Sequence, residues 1–202
     1  MNHQHIFKQG NPERPLLLLL HGTGGTEHDL FFLGEATDPE ASLLGVRGNV
    51  TESGMNRYFR RLAEGVFDEN DLEYRTKELI AFLDDASAEY GFDRDNIVAI
   101  GYSNGANIAG SMIYSFKDAV KGAILHHPMV PFRNRQLPDL HSLPVFIGAG
   151  TNDPLCAPEE SMELKATLEG AGSEVAIYWG NAGHSLTNEE VVAAKAWYNK
   201  HF

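Results

Sequence analysis

Residues 95–105 read Asp-Asn-Ile-Val-Ala-Ile-Gly-Tyr-Ser-Asn-Gly. An apolar run, Asp95–Ile100, has the composition of a buried strand. It enters Gly101-Tyr102-Ser103-Asn104-Gly105, a G-x-S-x-G pattern, and residues 104–116 then suit a helix. Strand, sharp turn and helix form the setting in which such a serine is presented as a nucleophile. In a turn this tight, side chains two before and two after the serine would collide with neighbouring backbone, and glycine removes them. The serine is left at the strand end, beside the positive end of the following helix. From the Gly and Ser content, about 0.1 matches are expected by chance. The competing reading is a glycine-rich turn carrying an ordinary serine.

Outward from this stretch the chain alternates regularly. Leu16–Leu20, Ser42–Val46, Ile97–Ile100, Ala123–Leu125, Val145–Ile147 and Val175–Trp179 are short apolar runs. Such runs read as strands buried on both faces. Ile6–Lys8 suits an antiparallel edge strand turned by Gly10-Asn11-Pro12. Helical spacing appears between them, over 70–90, 104–116 and 158–170. A last helix is expected from Thr187, because Thr187 and Glu190 form a capping-box pattern. The alternation predicts one α/β domain over residues 1–202, a mostly parallel sheet covered by helices on both faces. Ligands in such sheets gather beyond the carboxyl ends of the strands.

Those ends hold the remaining chemistry. A serine hydroxyl needs a base to become nucleophilic. Of nine histidines, His3, His5 and His201 are near the termini and His141 lies in a Pro-flanked loop. His28 suits the first turn of a helix. His126 and His127 end a strand and read as pocket wall or hydrogen-bonding residues. His184, in the loop between the last strand and the last helix, is the expected base. Asp153, in Gly150-Thr151-Asn152-Asp153-Pro154, is the expected orienting carboxylate, against the plainer reading of an Asx turn before proline. His21-Gly22-Thr23-Gly24-Gly25 follows the first apolar run. Its Thr23 N–H, with that of Asn104, is the expected oxyanion hole. The loop matches neither phosphate-binding glycine pattern.

The order Ser103, Asp153, His184 is that of the α/β hydrolases. Together His21–Gly25, GYSNG, GTNDP and AGHSL resemble the phospholipase/carboxylesterase group of that superfamily, from Leu16 to the last helix. The group also includes acyl-protein thioesterases. These usually carry Gln after the nucleophile and a further Gly after the elbow, where this chain has Asn104 and Ala106. Dienelactone hydrolases share the fold and typically use Cys where this chain has Ser103. The resemblance implies an α/β-hydrolase fold without a cap domain and a serine carboxylesterase using Ser103, Asp153 and His184. Alternatives are a lysophospholipase or acyl thioesterase, or a non-catalytic binding protein on the same fold. A metal hydrolase built on His126, His127, Asp153 or His184 lacks the usual ligand spacing.

Composition narrows the partners. Apolar residues are 43% and charged residues 22%, as in ordinary globular proteins. A net charge of −12 argues against nucleic acid and anionic membranes. The single Cys156 allows no intrachain disulfide. No signal-peptide core is visible in the first ten residues, so a cytoplasmic location is expected. The expected partner is a small-molecule ester, with a homodimer left open; no cofactor and no metal are called for. Arg47, Arg57, Arg60 and Arg61 suggest either an anion-attracting patch or surface pairing with Glu52, Glu64, Asp68 or Glu69. Residues 126–143 are too few for a helical cap. Met129, Val130 and Phe132, with Tyr58 and Phe59, then either line a shallow pocket suited to short acyl chains or belong to the core.

Overall fold

A computed structural model describes residues 3–202. In chain order the elements are β1 (His5–Lys8), β2 (Leu16–Leu20), α1 (Phe31–Thr37), β3 (Leu43–Val46), β4 (Val50–Glu52) and β5 (Met55–Arg57). Then come β6 (Arg61–Ala63), β7 (Val66–Phe67), α2 (Glu69–Tyr90), β8 (Ile97–Tyr102), α3 (Asn104–Ser115) and β9 (Gly122–His126). The chain closes with β10 (Pro144–Gly150), α4 (Pro158–Gly170), β11 (Glu174–Gly180) and α5 (Asn188–His201).

Seven strands form one sheet in the order β1-β3-β2-β8-β9-β10-β11. Only the edge pair β1–β3 is antiparallel; every other pairing in the sheet is parallel. The run of five leucines in β2 shows why its strands read as continuous apolar stretches. Leu16, Leu18 and Leu20 enter a core shared with α2, α3 and α4. Leu17 and Leu19 enter a second core with α1 and α5. Alternate side chains of one strand thus serve opposite faces. The architecture is the expected α/β-hydrolase sheet, and residues 127–143 between β9 and β10 hold neither helix nor strand.

Several local expectations are corrected. His28 does not open a helix; it lies in a turn before α1, with its side chain exposed. Ser42 precedes β3, and its Oγ accepts the Gly10 N–H. Thr187 does cap α5, accepting from the Glu190 N–H. The Glu190 carboxylate does not return to Thr187, however. It is 1% exposed and turns inward to the ring nitrogens of two histidines, which supply the hydrogen bonds a carboxylate removed from water requires. Residues 50–67 form two small hairpins, β4–β5 and β6–β7, which no periodicity in so short a stretch announces.

Candidate active site

The turn after β8 holds Ser103 at φ 52°, ψ −112°, a backbone conformation a non-glycine residue seldom adopts. It persists because the surroundings leave no alternative. A Cβ on Gly105 would lie 1.9 Å from the Leu20 carbonyl oxygen, and one on Gly101 would lie 2.6 Å from the Ala106 nitrogen. The two glycines let β8 and α3 meet at van der Waals distance from β2.

Three strand-end loops converge there. The Ser103 hydroxyl donates to His184 Nε2 at 2.8 Å. His184 Nδ1 donates to Asp153 Oδ2 at 2.7 Å. The other carboxylate oxygen accepts the N–H groups of Leu155 and Cys156 at 2.8 and 3.0 Å. Burial pushes the Asp153 pKa up, but the hydrogen bonds from His184, Leu155, Cys156 and His127 outweigh it and hold the group below its ordinary value. The His184 loop is tied down twice. Its carbonyl accepts from the Tyr102 hydroxyl at 2.5 Å, and the Gly183 N–H donates to Asn152 Oδ1 at 2.9 Å.

The loop after β2 forms the opposite wall. His21 is buried; its Nδ1–H donates to the Gly22 carbonyl at 2.6 Å and its Nε2 accepts the Gly48 N–H at 3.0 Å. Tyr58 completes the brace. Its hydroxyl donates to the Val46 carbonyl at 2.5 Å and accepts the His21 N–H at 3.0 Å. Its own N–H donates to Asn104 Oδ1 at 2.7 Å. Asn104 is the first residue of α3, where helical N–H groups have no carbonyl four residues back. Thr23 is exposed at the mouth, its Oγ1 accepting from Arg57 Nη1 at 2.7 Å.

A cavity of about 400 Å³ opens over Ser103 and His184. Arg57, Arg61, Glu64, Phe67, Met129 and Leu155 are among its walls. Met129 and Arg57 therefore stand where the sequence suggested. Tyr58 and Phe59 do not: they are 1% and 0% exposed in the core, Tyr58 as the brace just described and Phe59 edge-on to Phe67 with ring centroids 4.9 Å apart. Val130 and Phe132 are likewise core. The arginine cluster divides. Arg47 pairs with Glu27 and Arg60 with Asp68, away from the cavity. Arg61 pairs with Glu52 at 2.7 Å, while Arg57 reaches the same carboxylate only at 3.6 Å. Arg57 is 4% exposed, and burial, then neighbouring Arg61, lower its pKa despite Glu52.

Behind Asp153 lies a group that sequence reasoning missed in part. His127 Nδ1 donates to Asp153 Oδ2 at 3.0 Å, and its Nε2 donates to Glu190 Oε2 at 3.2 Å. Glu190 Oε1 accepts from His126 Nδ1 at 2.5 Å. Both histidines are hydrogen-bonding residues, as expected, but neither lines the cavity. Glu190 went unrecognised because its capping-box position already explained it. His127, Asp153 and His184 bring ligand-type atoms within 4.8 Å of one another; the same atoms make the hydrogen bonds above.

Residues 52–201 match the dienelactone hydrolase family. The chain is 55% identical over 197 residues to the Bacillus subtilis (strain 168) protein MhqD, described as a hydrolase, covering 98% of each chain. A crystal structure of a Bacillus cereus carboxylesterase is 60% identical, with a TM-score of 0.99 over 100% of this chain and 95% of that one. The structure of YahD with malic acid is 35% identical, with a TM-score of 0.95 over 99% of this chain and all of that one.

Proposed function

Because the chain belongs to the dienelactone hydrolase family of α/β hydrolases and is an ester hydrolase, we propose that it is a serine carboxylesterase for small, short-acyl esters. The observation that carries this reading is the unbroken series Ser103–His184–Asp153, with contacts of 2.8 and 2.7 Å at the floor of the cavity. Ser103 Oγ attacks the ester carbonyl as His184 Nε2 takes its proton. The tetrahedral oxyanion is met by the N–H groups of Thr23 and Asn104. His184 then protonates the departing alkoxide, leaving an acyl-Ser103. Water, deprotonated by the same nitrogen, attacks that ester; the acid leaves and Ser103 regains its proton. Asp153 fixes the imidazole tautomer and stabilises the imidazolium.

Cavity size and walls support the short-acyl reading. Each CH₂ contributes about 0.8 kcal/mol only where a wall removes it from water. Phe67, Met129 and Leu155 supply a limited apolar lining, and Arg57, Arg61 and Glu64 interrupt it. The two guanidiniums also favour an ester carrying a carboxylate. Malic acid bound to the YahD relative, a hydroxy-dicarboxylate, fits that preference. Acyl-chain series of p-nitrophenyl esters and matched thioesters test the reading. The expected kcat/KM peaks at short acyl groups and falls steadily with length. A rise sustained to palmitoyl would overturn it in favour of a lysophospholipase or thioesterase, and the absence of any turnover would favour the binding protein.

A further inference from the structure

The series of hydrogen bonds does not end at Asp153. Oδ2 of Asp153 accepts from His184 at 2.7 Å and from His127 at 3.0 Å. Oδ1 is already taken by two backbone N–H groups, so the two imidazoles share one oxygen. On its far side His127 donates to Glu190 at 3.2 Å. A neutral imidazole has one N–H; a ring that donates to carboxylates through both nitrogens is an imidazolium. Its ring centroid is 5.1 Å from that of His184.

Three local features are arranged for this contact. His127 takes φ +53°, a conformation non-glycine residues adopt rarely and at some cost. Gly148 has no Cβ, and one there would lie 1.9 Å from Glu190 Oε1. Glu190 leaves its capping position to reach the histidines. Resting on the serine-esterase reading above, we infer that His127, fixed by Glu190, is a positioning residue that shares Asp153 with the His184 base and sets the pH range in which that base works.

The physical effect has a definite sign. A cation beside the base disfavours a second positive charge on His184 and draws on the same Asp153 oxygen that would stabilise it. The groups facing His127 come from every neighbouring element. Asp153 and Cys156 follow β10, Glu190 lies on α5, His184 follows β11, and Tyr102 ends β8 with its ring edge-on at 6.0 Å. Of these, Asp153 and Glu190 supply the negative charge. Burial alone pushes the ring toward its neutral form, yet Glu190 and Asp153 outweigh burial and raise its pKa.

The test is the pH profile of kcat/KM for wild type, His127→Asn and Glu190→Gln. Asparagine places an N–H donor where Nδ1 was, tolerates a left-handed backbone and carries no charge. The acid limb is expected to move up by about half a pH unit or more in His127→Asn, with KM little changed, and in the same direction in Glu190→Gln. Limbs within experimental error of wild type in both variants, once folded and labelled by a fluorophosphonate, overturn the inference and leave the esterase reading standing. Failure of wild type itself to label at Ser103 would instead remove the reading on which it rests. Ring-nitrogen NMR of the wild-type protein provides a readout independent of the variants' folding. His127 is expected to be doubly protonated at pH 7, and a neutral ring there overturns the inference.

Discussion

At the scale of the residue, Asp153 carries the heaviest demand, because four donors meet one carboxylate. Asp153→Asn places an amide N–H among those donors and favours the wrong His184 tautomer. Its kcat is expected to fall about 10³–10⁴-fold with little change in KM; steady-state kinetics on one ester decide this, and a normal kcat would show that another group orients the histidine. Arg57 makes a different kind of contribution. Its Nη1 holds Thr23 Oγ1, its nearest carboxylate lies at 3.6 Å, and its side chain reaches a cavity wall. Arg57→Gln is expected to raise KM about tenfold for a carboxylate-bearing ester, roughly 1.4 kcal/mol, and much less for a neutral ester of equal size. Equal changes for both substrates would reduce Arg57 to a structural brace for Thr23.

At the scale of the element, α5 fastens the back of the site through Glu190. Burial pushes the Glu190 pKa up, but His126 and His127 outweigh this and bring it down to about 2 from an ordinary 4.5. A carboxyl whose folded value is depressed adds stability above its unfolded value and loses it as pH falls toward the folded one. His127, raised in the fold, adds stability below an ordinary 6.5 and loses it as pH climbs through its raised value. Glu190→Gln should therefore cost about 3 kcal/mol near pH 6, the scale of breaking a buried pair, and the gap should narrow toward pH 3. Urea unfolding at both values measures it; a gap that widens at acid pH would reverse the assignment. The same element marks where sequence reading stops. Leu16–Leu20, the elbow and the alternation of buried strands with helices along the chain follow from periodicity and glycine placement, because these are local constraints. The meeting of Ser103, Asp153 and His184 was legible because each follows its own strand. Glu190 and Tyr58 were not: one resembles a helix cap and the other a pocket aromatic until the tertiary fold supplies their partners. The hairpins at 50–67 were hidden for a related reason, since strands of two or three residues leave no period to count.

At the scale of the whole molecule, the sheet gathers residues distant in sequence beyond the carboxyl ends of its strands. Ser103 and His184, 81 positions apart, meet at 2.8 Å, while the first loop and the hairpins after β3 close the opposite side. No helix among the described residues is long and apolar enough to cross a membrane. The cavity walls come from the small hairpins, the start of α3 and the strand-end loops rather than from a separate cap, so Arg57, Phe67 and Met129 are among the few side chains that face it. All of this depends on Ser103 being the atom that takes the acyl group. Intact-protein mass spectrometry after fluorophosphonate treatment tests that directly. Wild-type protein should gain one phosphonyl group, mapped to Ser103, as esterase activity disappears, and folded Ser103→Ala should gain none and hydrolyse nothing. A Ser103→Ala protein that still turns over esters, or a label found on another residue, would contradict the account.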